Sequence, residues 1–328
     1  MREVAFIKQN KSKWLEFEQA IFGKSKKNPD QLADLYIHLV NDLSYAQTFY
    51  PKSKLVVYLN YLASESFQRV YTTKKHQSNR LINFFKTEVP LLAFKNRRYL
   101  YYGFLAFFLL IFIGVISAHY DLDFVRLILG DGYVNRSIEN IKEGNPVAIY
   151  KSGESWSSFL GITINNLKVG AYMYFGGVFI GIVTFLMLLN NAIMVGAFQY
   201  MFVKYDVFWE SVRGIWIHGS MEIFGMVIEA GAGFMLAASI LFPKTYSRVN
   251  SFKIGFKESF KLYLSTIPFT IAAGFLEGFV TRYSKEMPNV LNVVIILTTL
   301  LAIGYYYLVY PYVLNKKMKK QAQYVPAL

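Results

Sequence analysis

Cysteine is absent from the 328-residue chain, and charged residues make up only 17% of it. The absence of cysteine excludes disulfide bonds and thiolate metal sites within the chain. Hydrophobic residues account for 54% and aromatic residues for 18%, which is too apolar for an ordinary soluble domain. The composition therefore indicates a membrane protein.

Complete catalytic signatures are also missing. The sequence has no phosphate-binding P-loop, no GxSxG nucleophile elbow and no GxGxxG dinucleotide fingerprint. The second histidine of an HExxH zinc motif is absent and no stretch has EF-hand spacing, so we expect neither a metal ion nor a cofactor. The beginning, MREVAFIKQNKSKW, lacks the apolar region of a secretory signal. We expect a later transmembrane segment to target the chain to the membrane.

The first 98 residues are polar and basic, with 17 Lys/Arg against 8 Asp/Glu. Apolar residues recur there at helical spacing, as in Trp14, Phe17 and Ile21. We predict a cytoplasmic helical domain over residues 1–98. Its last part, Ser78–Phe94, has the pattern of an amphipathic helix that approaches the membrane surface.

Apolar runs long enough to cross a bilayer follow this domain. We predict a transmembrane domain over residues 99–312 with about six segments, so the fold class is all-α, a polytopic helical membrane protein preceded by a soluble helical domain. The third segment is short for a span and is open to a re-entrant interpretation. Pro268 is expected to kink the fifth segment. The predicted segments are residues 99–118, 167–189, 190–203, 214–242, 262–280 and 291–310.

The charges of the connecting segments predict the orientation. Within the predicted outer loop, 119–158, six acidic residues stand against four basic ones, whereas the loop 243–261 and the tail 313–328 are basic. Lys/Arg-rich segments stay in the cytoplasm, so both termini are expected there. We expect the basic surface to contact anionic lipid headgroups, with protein partners as the competing explanation. The charges lie in blocks without interleaved aromatic residues, which argues against a nucleic-acid partner.

His218 and Glu222 lie one helical turn apart inside an apolar run, and Glu229 follows on the same stripe. Ionisable groups in the middle of a membrane helix cost about 2.5–3.5 kcal/mol each, so we expect them to face the protein interior. Glu229 lies about 10 Å further along the axis, too far to share one ligand directly with Glu222. Two interpretations are open, a buried His–Glu hydrogen bond that stabilises helix packing, or a ligand, proton or ion site.

Two asparagine pairs, Asn165–Asn166 and Asn190–Asn191, bracket the second predicted segment. Asparagine favours helix N-caps, so capping is the preferred interpretation, and the lining of a polar cavity is the alternative. Together with His218, Glu222 and Glu229, these asparagines make up the candidate intramembrane polar site. Glu277 lies near the outer end of the fifth predicted segment, where we expect a solvated acid.

Glycines in the membrane portion have the small-xxx-small spacing of close helix packing. Gly177 and Gly181 are four residues apart, as are Gly274 and Gly278, and Gly219 follows His218 directly. The spacing predicts close helix contacts but leaves open whether the partner helix belongs to the same chain or to a second copy in a homo-oligomer.

Several of these residues fit a known family pattern. The N-terminal part shows Trp14 and Glu18, then LADLYIHLVNDLSYAQTFYP, and the membrane part shows Asn190 before Gly196 and His218–Gly219 with Glu222. On these residues the chain resembles the stage II sporulation protein M family along nearly its whole length. The resemblance implies a multi-pass protein of the bacterial cytoplasmic membrane and, in the member that gives the family its name, an anchor and scaffold for cell-wall hydrolases. The long N-terminal domain is similar to the broader branch found in non-sporulating bacteria.

Three functions are compatible with these patterns. The first is a non-enzymatic membrane scaffold or anchor that recruits protein partners, as the resemblance implies. The second is a transporter or channel with a polar intramembrane site around His218 and Glu222. The third is an intramembrane hydrolase with Glu222 as the base, for which no nucleophile or metal ligand is evident.

Overall fold

The computed structural model of the protein describes residues 2–22, 29–73, 80–148 and 154–323. It is 89% helical with no strands in that part of the chain, so the all-α prediction is confirmed. The chain divides into two compact units, Met1–Arg80 and Leu81–Leu328.

The N-terminal unit consists of three helices, α1 (Glu3–Phe22), α2 (Pro29–Phe49) and α3 (Lys54–Thr73). The apolar residues that recur at helical spacing face one another and are withdrawn from solvent, which is the main source of stability in such a bundle. The buried core consists of Phe6, Trp14, Phe17, Ile21, Leu39, Leu43, Ala46, Leu55, Leu59, Leu62 and Ala63.

The second unit contains the remaining helices and several short irregular turns. Its α-helices are α4 (Arg80–Asn83), α5 (Val89–Lys95), α6 (Arg97–Tyr120), α7 (Leu122–Leu129), α8 (Asp131–Lys142), α9 (Ser155–Phe175), α10 (Ile182–Lys204), α11 (Phe208–Leu241), α12 (Arg248–Leu264), α13 (Ile267–Phe275), α14 (Asn289–Gly304) and α15 (Tyr310–Gln323). π-helical turns occupy Phe84–Glu88, Leu276–Val280 and Tyr305–Val309, and 3-10 turns occupy Gly176–Phe179 and Thr281–Tyr283.

Five stretches of the described chain are long and apolar enough to cross a membrane. α9 is also 21 residues long, but Asn165, Asn166 and Lys168 lower its hydropathy and it is not among the five. The five stretches are Arg97–Tyr120, Ile182–Lys204, Phe208–Leu241, Arg248–Tyr283 and Asn289–Lys320. The protein is therefore a multi-pass membrane protein.

The helix boundaries around the second and third predicted segments were wrong. The predicted segment 167–189 is interrupted by a turn, because α9 ends at Phe175 and α10 begins at Ile182. Residues 190–203, taken as a short and possibly re-entrant segment, are the second half of the continuous helix α10. The backbone of the turn is left-handed at Ile180 and Gly181, which ends one helix and begins the next.

Two further boundaries also differ from prediction. Most of the predicted loop 243–261 is helical, since α12 begins at Arg248. The helix is then interrupted at Ser265–Thr266, and Pro268 lies in the first turn of α13. Backbone N–H groups in the first turn of a helix have no carbonyl partner within the helix, so the N–H that proline lacks costs no hydrogen bond there. Pro268 thus starts a helix after a break.

Both ends of the membrane unit extend past the predicted segments. Of the predicted membrane-approaching stretch Ser78–Phe94, residues 81–94 belong to this unit, and Val89 of α5 is fully buried in its core. The predicted tail 313–328 is helical to Gln323, and residues 324–328 lie outside the described part of the chain.

Helix α11 forms the centre of the membrane unit. It contacts α6, α9, α10, α12, α13 and α14. Within its most apolar stretch of 18 residues, 72% is buried inside the protein. By contrast, α14 exposes Val290, Leu297 and Leu301, as expected for a surface in contact with lipid. The ionisable residues His218 and Glu229, in the middle of α11, are therefore enclosed by protein.

Candidate functional site

Three ionisable residues, His218, Glu222 and Glu229, lie in the apolar part of α11 after Arg213, and the structure divides them between two environments. His218 is 4% exposed, and its Nδ1 is hydrogen-bonded to Thr281 Oγ1 at 2.9 Å. Its Nε2 lies 3.8 Å from Glu277 Oε2. Glu222, one turn further on, belongs to the same group, since one potential ligand atom each from His218, Glu222 and Glu277 lie within 4.8 Å of one another.

Glu277 is a central member of this group, so its assignment as a solvated acid at the membrane boundary was wrong. Its side chain is only 12% exposed. Glu277 lies in the π-helical turn Leu276–Val280, in which the Thr281 N–H bonds the Leu276 carbonyl. The turn and the 3-10 segment after it present Glu277 and Thr281 to opposite nitrogens of His218. We refer to His218, Glu222 and Glu277 as the polar cluster.

A cavity of about 370 Å³ adjoins the polar cluster. Its wall includes all three cluster residues together with Asn165 and Asn166 of α9. Both asparagines lie in the middle of α9, so the preferred interpretation as helix caps was wrong for this pair and the cavity alternative describes their position. The Asn166 amide lies close enough to interact with the Glu222 carboxyl group, although its buried Nδ2 forms no hydrogen bond of standard geometry within the described part of the chain.

The second asparagine pair lies apart from this cavity. Asn190 and Asn191 are in the interior of α10, so they cap no helix start either. Asn191 Nδ2 donates to the Met187 carbonyl of its own helix at 2.8 Å, and Asn190 is exposed. Neither residue lines the cavity wall.

Glu229 is enclosed separately, two turns along α11. It is 5% exposed, and its Oε1 accepts a 2.8 Å hydrogen bond from the Thr266 hydroxyl at the break between α12 and α13. Its carboxyl group lies against Gly170 of α9, in the space that a β-carbon there would occupy. The structure thus keeps Glu229 apart from the polar cluster.

The glycines singled out by spacing occupy different roles. Gly274 contacts Thr163 and Gly278 contacts Phe159, so both allow the fourth apolar stretch, Arg248–Tyr283, to approach α9 closely. Gly177 lies in the 3-10 turn against the backbone of Gly233 in α11. Gly181 precedes α10 with φ of 81°, in a turn.

Gly219 has only Ile215 of its own helix near the position of a β-carbon, and it lines the cavity. In place of close helix packing, it keeps space open next to His218.

The residues by which the N-terminal unit resembles the family make contacts within that unit. Trp14 Nε1 donates to Asp42 Oδ2 at 2.8 Å and joins α1 to α2. The Tyr58 hydroxyl donates to Glu18 Oε2 at 2.9 Å and joins α3 to α1. Burial and this hydrogen bond raise the pKa of Tyr58 to about 12. These side chains hold the bundle together.

The comparisons with known proteins divide the chain in a similar way. Residues 103–282 match the family model of stage II sporulation protein M, which covers more than half of the chain and the entire polar cluster. Residues 4–72 match a domain of unknown function (DUF8413). No curated protein and no solved structure matches the chain.

Proposed function

Since the chain belongs to the stage II sporulation protein M family, we propose that it is a multi-pass scaffold that recruits protein partners at the bacterial cytoplasmic membrane. The observation behind the proposal is the two-part architecture. A helical unit, Met1–Arg80, is compact by itself and precedes a membrane unit with five long apolar helices. A separately compact domain attached to a membrane anchor is suited to binding partners near the membrane.

The surface of the N-terminal unit supports this function. The hydrogen bonds Trp14–Asp42 and Tyr58–Glu18 are internal, whereas several apolar side chains remain outside, among them Val57 at 71% exposed and Ile37 at 56% exposed. Exposed apolar side chains are available for contacts with a partner, although single ones also occur on ordinary surfaces. The excess of basic residues in residues 1–98 adds attraction to anionic lipid or to an acidic partner.

The orientation follows from the charges. We place the N-terminal unit, the segment between α11 and α12 and the end of α15 in the cytoplasm, because Lys/Arg-rich segments are retained there. With α9 as a sixth crossing, the number of crossings is even and both termini lie on the same side. The segment that contains α7 and α8 then lies outside.

The scaffold is tested by site-specific crosslinking in the native membrane. A photoreactive amino acid replaces Val57 or Ile37 in the full chain, and Leu59, which is fully buried, serves as the matched control position. We expect one protein to be captured reproducibly from an exposed position and not from Leu59. Failure to capture any reproducible protein from exposed positions on all three helices would contradict the scaffold.

A second function, translocation of an ion or small polar solute, is supported by one specific observation. The cavity beside the polar cluster belongs to the membrane unit, opens to the surface near Gly161 and Asn165, and includes charged and amide side chains in its lining. Such sites in membrane proteins commonly mark ion or substrate pathways. The test is flux into proteoliposomes by the wild type, by Glu222→Gln and by Glu229→Gln, which removes a buried carboxylate outside the cavity. Loss of flux in Glu222→Gln alone would support translocation, and no flux in the wild type across a broad panel would exclude it for that panel.

A further inference from the structure

The polar cluster brings together side chains that are otherwise costly to bury. His218 is 4% exposed, the Glu277 side chain is 12% exposed, and Glu222 is their neighbour within 4.8 Å. Two carboxylates this close in a low-dielectric interior repel each other strongly when both are ionised. Either a proton on one of the carboxyl groups or a positive charge between them offsets that repulsion.

The hydrogen bond of His218 determines which nitrogen faces the carboxylates. Nδ1 is held by Thr281 Oγ1 at 2.9 Å, which leaves Nε2 directed toward Glu277. When Nδ1–H donates to the Thr281 hydroxyl, Nε2 carries a lone pair. Metal-binding histidines are held in this way, with the second nitrogen hydrogen-bonded to a neighbouring group that sets the orientation of the ring.

The separation of Nε2 and Glu277 Oε2 fits a shared ion better than a direct hydrogen bond. At 3.8 Å the two atoms are beyond the usual N···O hydrogen-bond range. Ligand bonds of about 2.0–2.2 Å place two ligands of one Zn²⁺ ion roughly 3–4 Å apart. The three ligand atoms lie within 4.8 Å of one another, so a small side-chain adjustment brings all three within bonding distance of one ion.

The wall around the cluster supplies further polar atoms. The Asn166 amide interacts with the Glu222 carboxyl group, and its buried Nδ2 forms no hydrogen bond of standard geometry within the described part of the chain. A side-chain amide can be turned to present either its oxygen or its nitrogen, so Asn166 can offer an oxygen to an ion or a hydrogen bond to a bound water. The adjoining cavity of about 370 Å³ has room for that water.

From these observations we propose that His218, Glu222 and Glu277 bind one first-row divalent metal ion of the Zn²⁺ or Mn²⁺ type, with Asn166 and water at the remaining positions. One imidazole and two carboxylates suit such ions, whereas Ca²⁺ and Mg²⁺ prefer oxygen ligands alone. Metal binding is independent of whether the chain recruits partners.

The test uses the full chain purified in detergent, stripped of metal with EDTA and then titrated separately with Zn²⁺ and Mn²⁺. Bound metal is measured by elemental analysis after gel filtration, and the affinity by competition with a chromophoric chelator. We expect one saturable, tight site per chain with at least one of the two ions. A wild-type protein that binds neither ion in this way overturns the proposal.

Three variants locate the site. Glu277→Gln removes a ligand, Thr281→Val removes the hydrogen bond that holds His218, and Glu229→Gln removes a buried carboxylate elsewhere on α11. We expect loss of the tight site in Glu277→Gln, an affinity about 10–100-fold weaker in Thr281→Val, and wild-type affinity in Glu229→Gln. Unchanged affinity in the first two variants would place the metal elsewhere and overturn the proposal.

A second readout covers the case in which Glu277→Gln does not fold. Saturating metal should raise the melting temperature of the wild type, and EDTA should reverse the increase. Thr281→Val keeps all three ligands, so its metal-dependent increase should be present but should need a higher metal concentration. Equal metal dependence in wild type and Thr281→Val would contradict the assignment to this cluster.

Discussion

At the scale of single residues, the sequence predicted two of the three members of the polar cluster. His218 and Glu222 stood out because ionisable residues inside an apolar run are costly. Glu277 belongs to the same cluster but lies 55 positions beyond Glu222, on another helix. Helical spacing relates residues within one helix only, so the sequence pattern did not connect Glu277 with His218 and Glu222. The structure makes that connection through the π-helical turn that carries Glu277. Glu229 was assigned to the same site because it lies on the same side of the helix as Glu222. In the structure it contacts Gly170 and Thr266 instead, apart from the polar cluster.

The contact between Gly170 and Glu229 predicts a specific steric effect. In Gly170→Ala the new methyl group would overlap the Glu229 carboxyl group, and we expect a loss of about 1–3 kcal/mol of stability. Gly161→Ala, in the same helix, meets no atom within 4 Å and should be neutral or slightly stabilising. Thermal unfolding in detergent compares the two. If Gly170→Ala costs as much in a Glu229→Ala background as in the wild type, the overlap is not the cause.

The raised pKa of Tyr58 predicts a pH dependence in the N-terminal unit. Burial and the hydrogen bond to Glu18 raise the pKa of Tyr58 in the folded protein to about 12, above its ordinary value of 10.0. The stabilisation from the neutral hydroxyl is therefore complete below about pH 10 and is lost as the pH rises toward 12. Tyr58→Phe should destabilise the unit at neutral pH, and its difference from wild type should shrink across that range.

Circular dichroism melts of the full chain at several pH values measure this difference. Tyr61→Phe, at an exposed tyrosine on the same helix, serves as the control. A gap between wild type and Tyr58→Phe that stays constant from pH 8 to about pH 12 would contradict the role of the Tyr58–Glu18 hydrogen bond.

At the scale of helices, the presence of a membrane helix was easier to predict than the residues at which it begins and ends. Long apolar runs correctly indicated most of the membrane helices, because burial in lipid or protein demands both length and hydropathy. The break between α9 and α10 was missed, since Gly176–Gly181 is itself apolar and no charge marks it. Gly177 and Gly181 were interpreted as one packing face, whereas they belong to the turn that separates two helices.

The close approach of that turn to α11 predicts the effect of a small substitution. Gly177→Ala would place a methyl group against the Gly233 carbonyl, which is backbone and has little freedom to move. We expect a loss of about 1–3 kcal/mol, measured by thermal unfolding in detergent. Gly225→Ala, in the interior of α11, meets no atom within 4 Å and is the control. Equal melting temperatures for the two variants would show that the contact is not tight.

At the scale of the whole molecule, charge distribution predicted an orientation with both termini inside. Whether that orientation holds depends on α9, which is long enough to cross but contains Asn165, Asn166 and Lys168. Six crossings place Lys11 and Lys316 on one side of the membrane, and five would place them on opposite sides. Polar residues lower the mean hydropathy of a helix even when they face a cavity and not lipid. Asn165 and Asn166 line the cavity, so hydropathy does not decide whether α9 crosses the membrane.

The absence of native cysteine makes this orientation directly measurable. We expect Lys142→Cys, in α8, to react with a membrane-impermeant maleimide in intact cells, while Lys11→Cys and Lys316→Cys react only after permeabilisation. All three positions are exposed in the structure. Reaction of Lys11→Cys and Lys316→Cys from opposite sides would mean that α9 does not cross.

The π-helical turn Leu276–Val280 also gives the polar cluster a tolerance to chain length. Such a turn holds one residue more than the same stretch of α-helix. Because the wider turn absorbs the extra residue, deleting one residue between Glu277 and Thr281 would restore α-helix and leave the chain after it in nearly the same orientation relative to α13. Thr281 would then still face His218. A relative that is one residue shorter at this turn can therefore still assemble the site, and an alignment gap here does not by itself argue against the cluster.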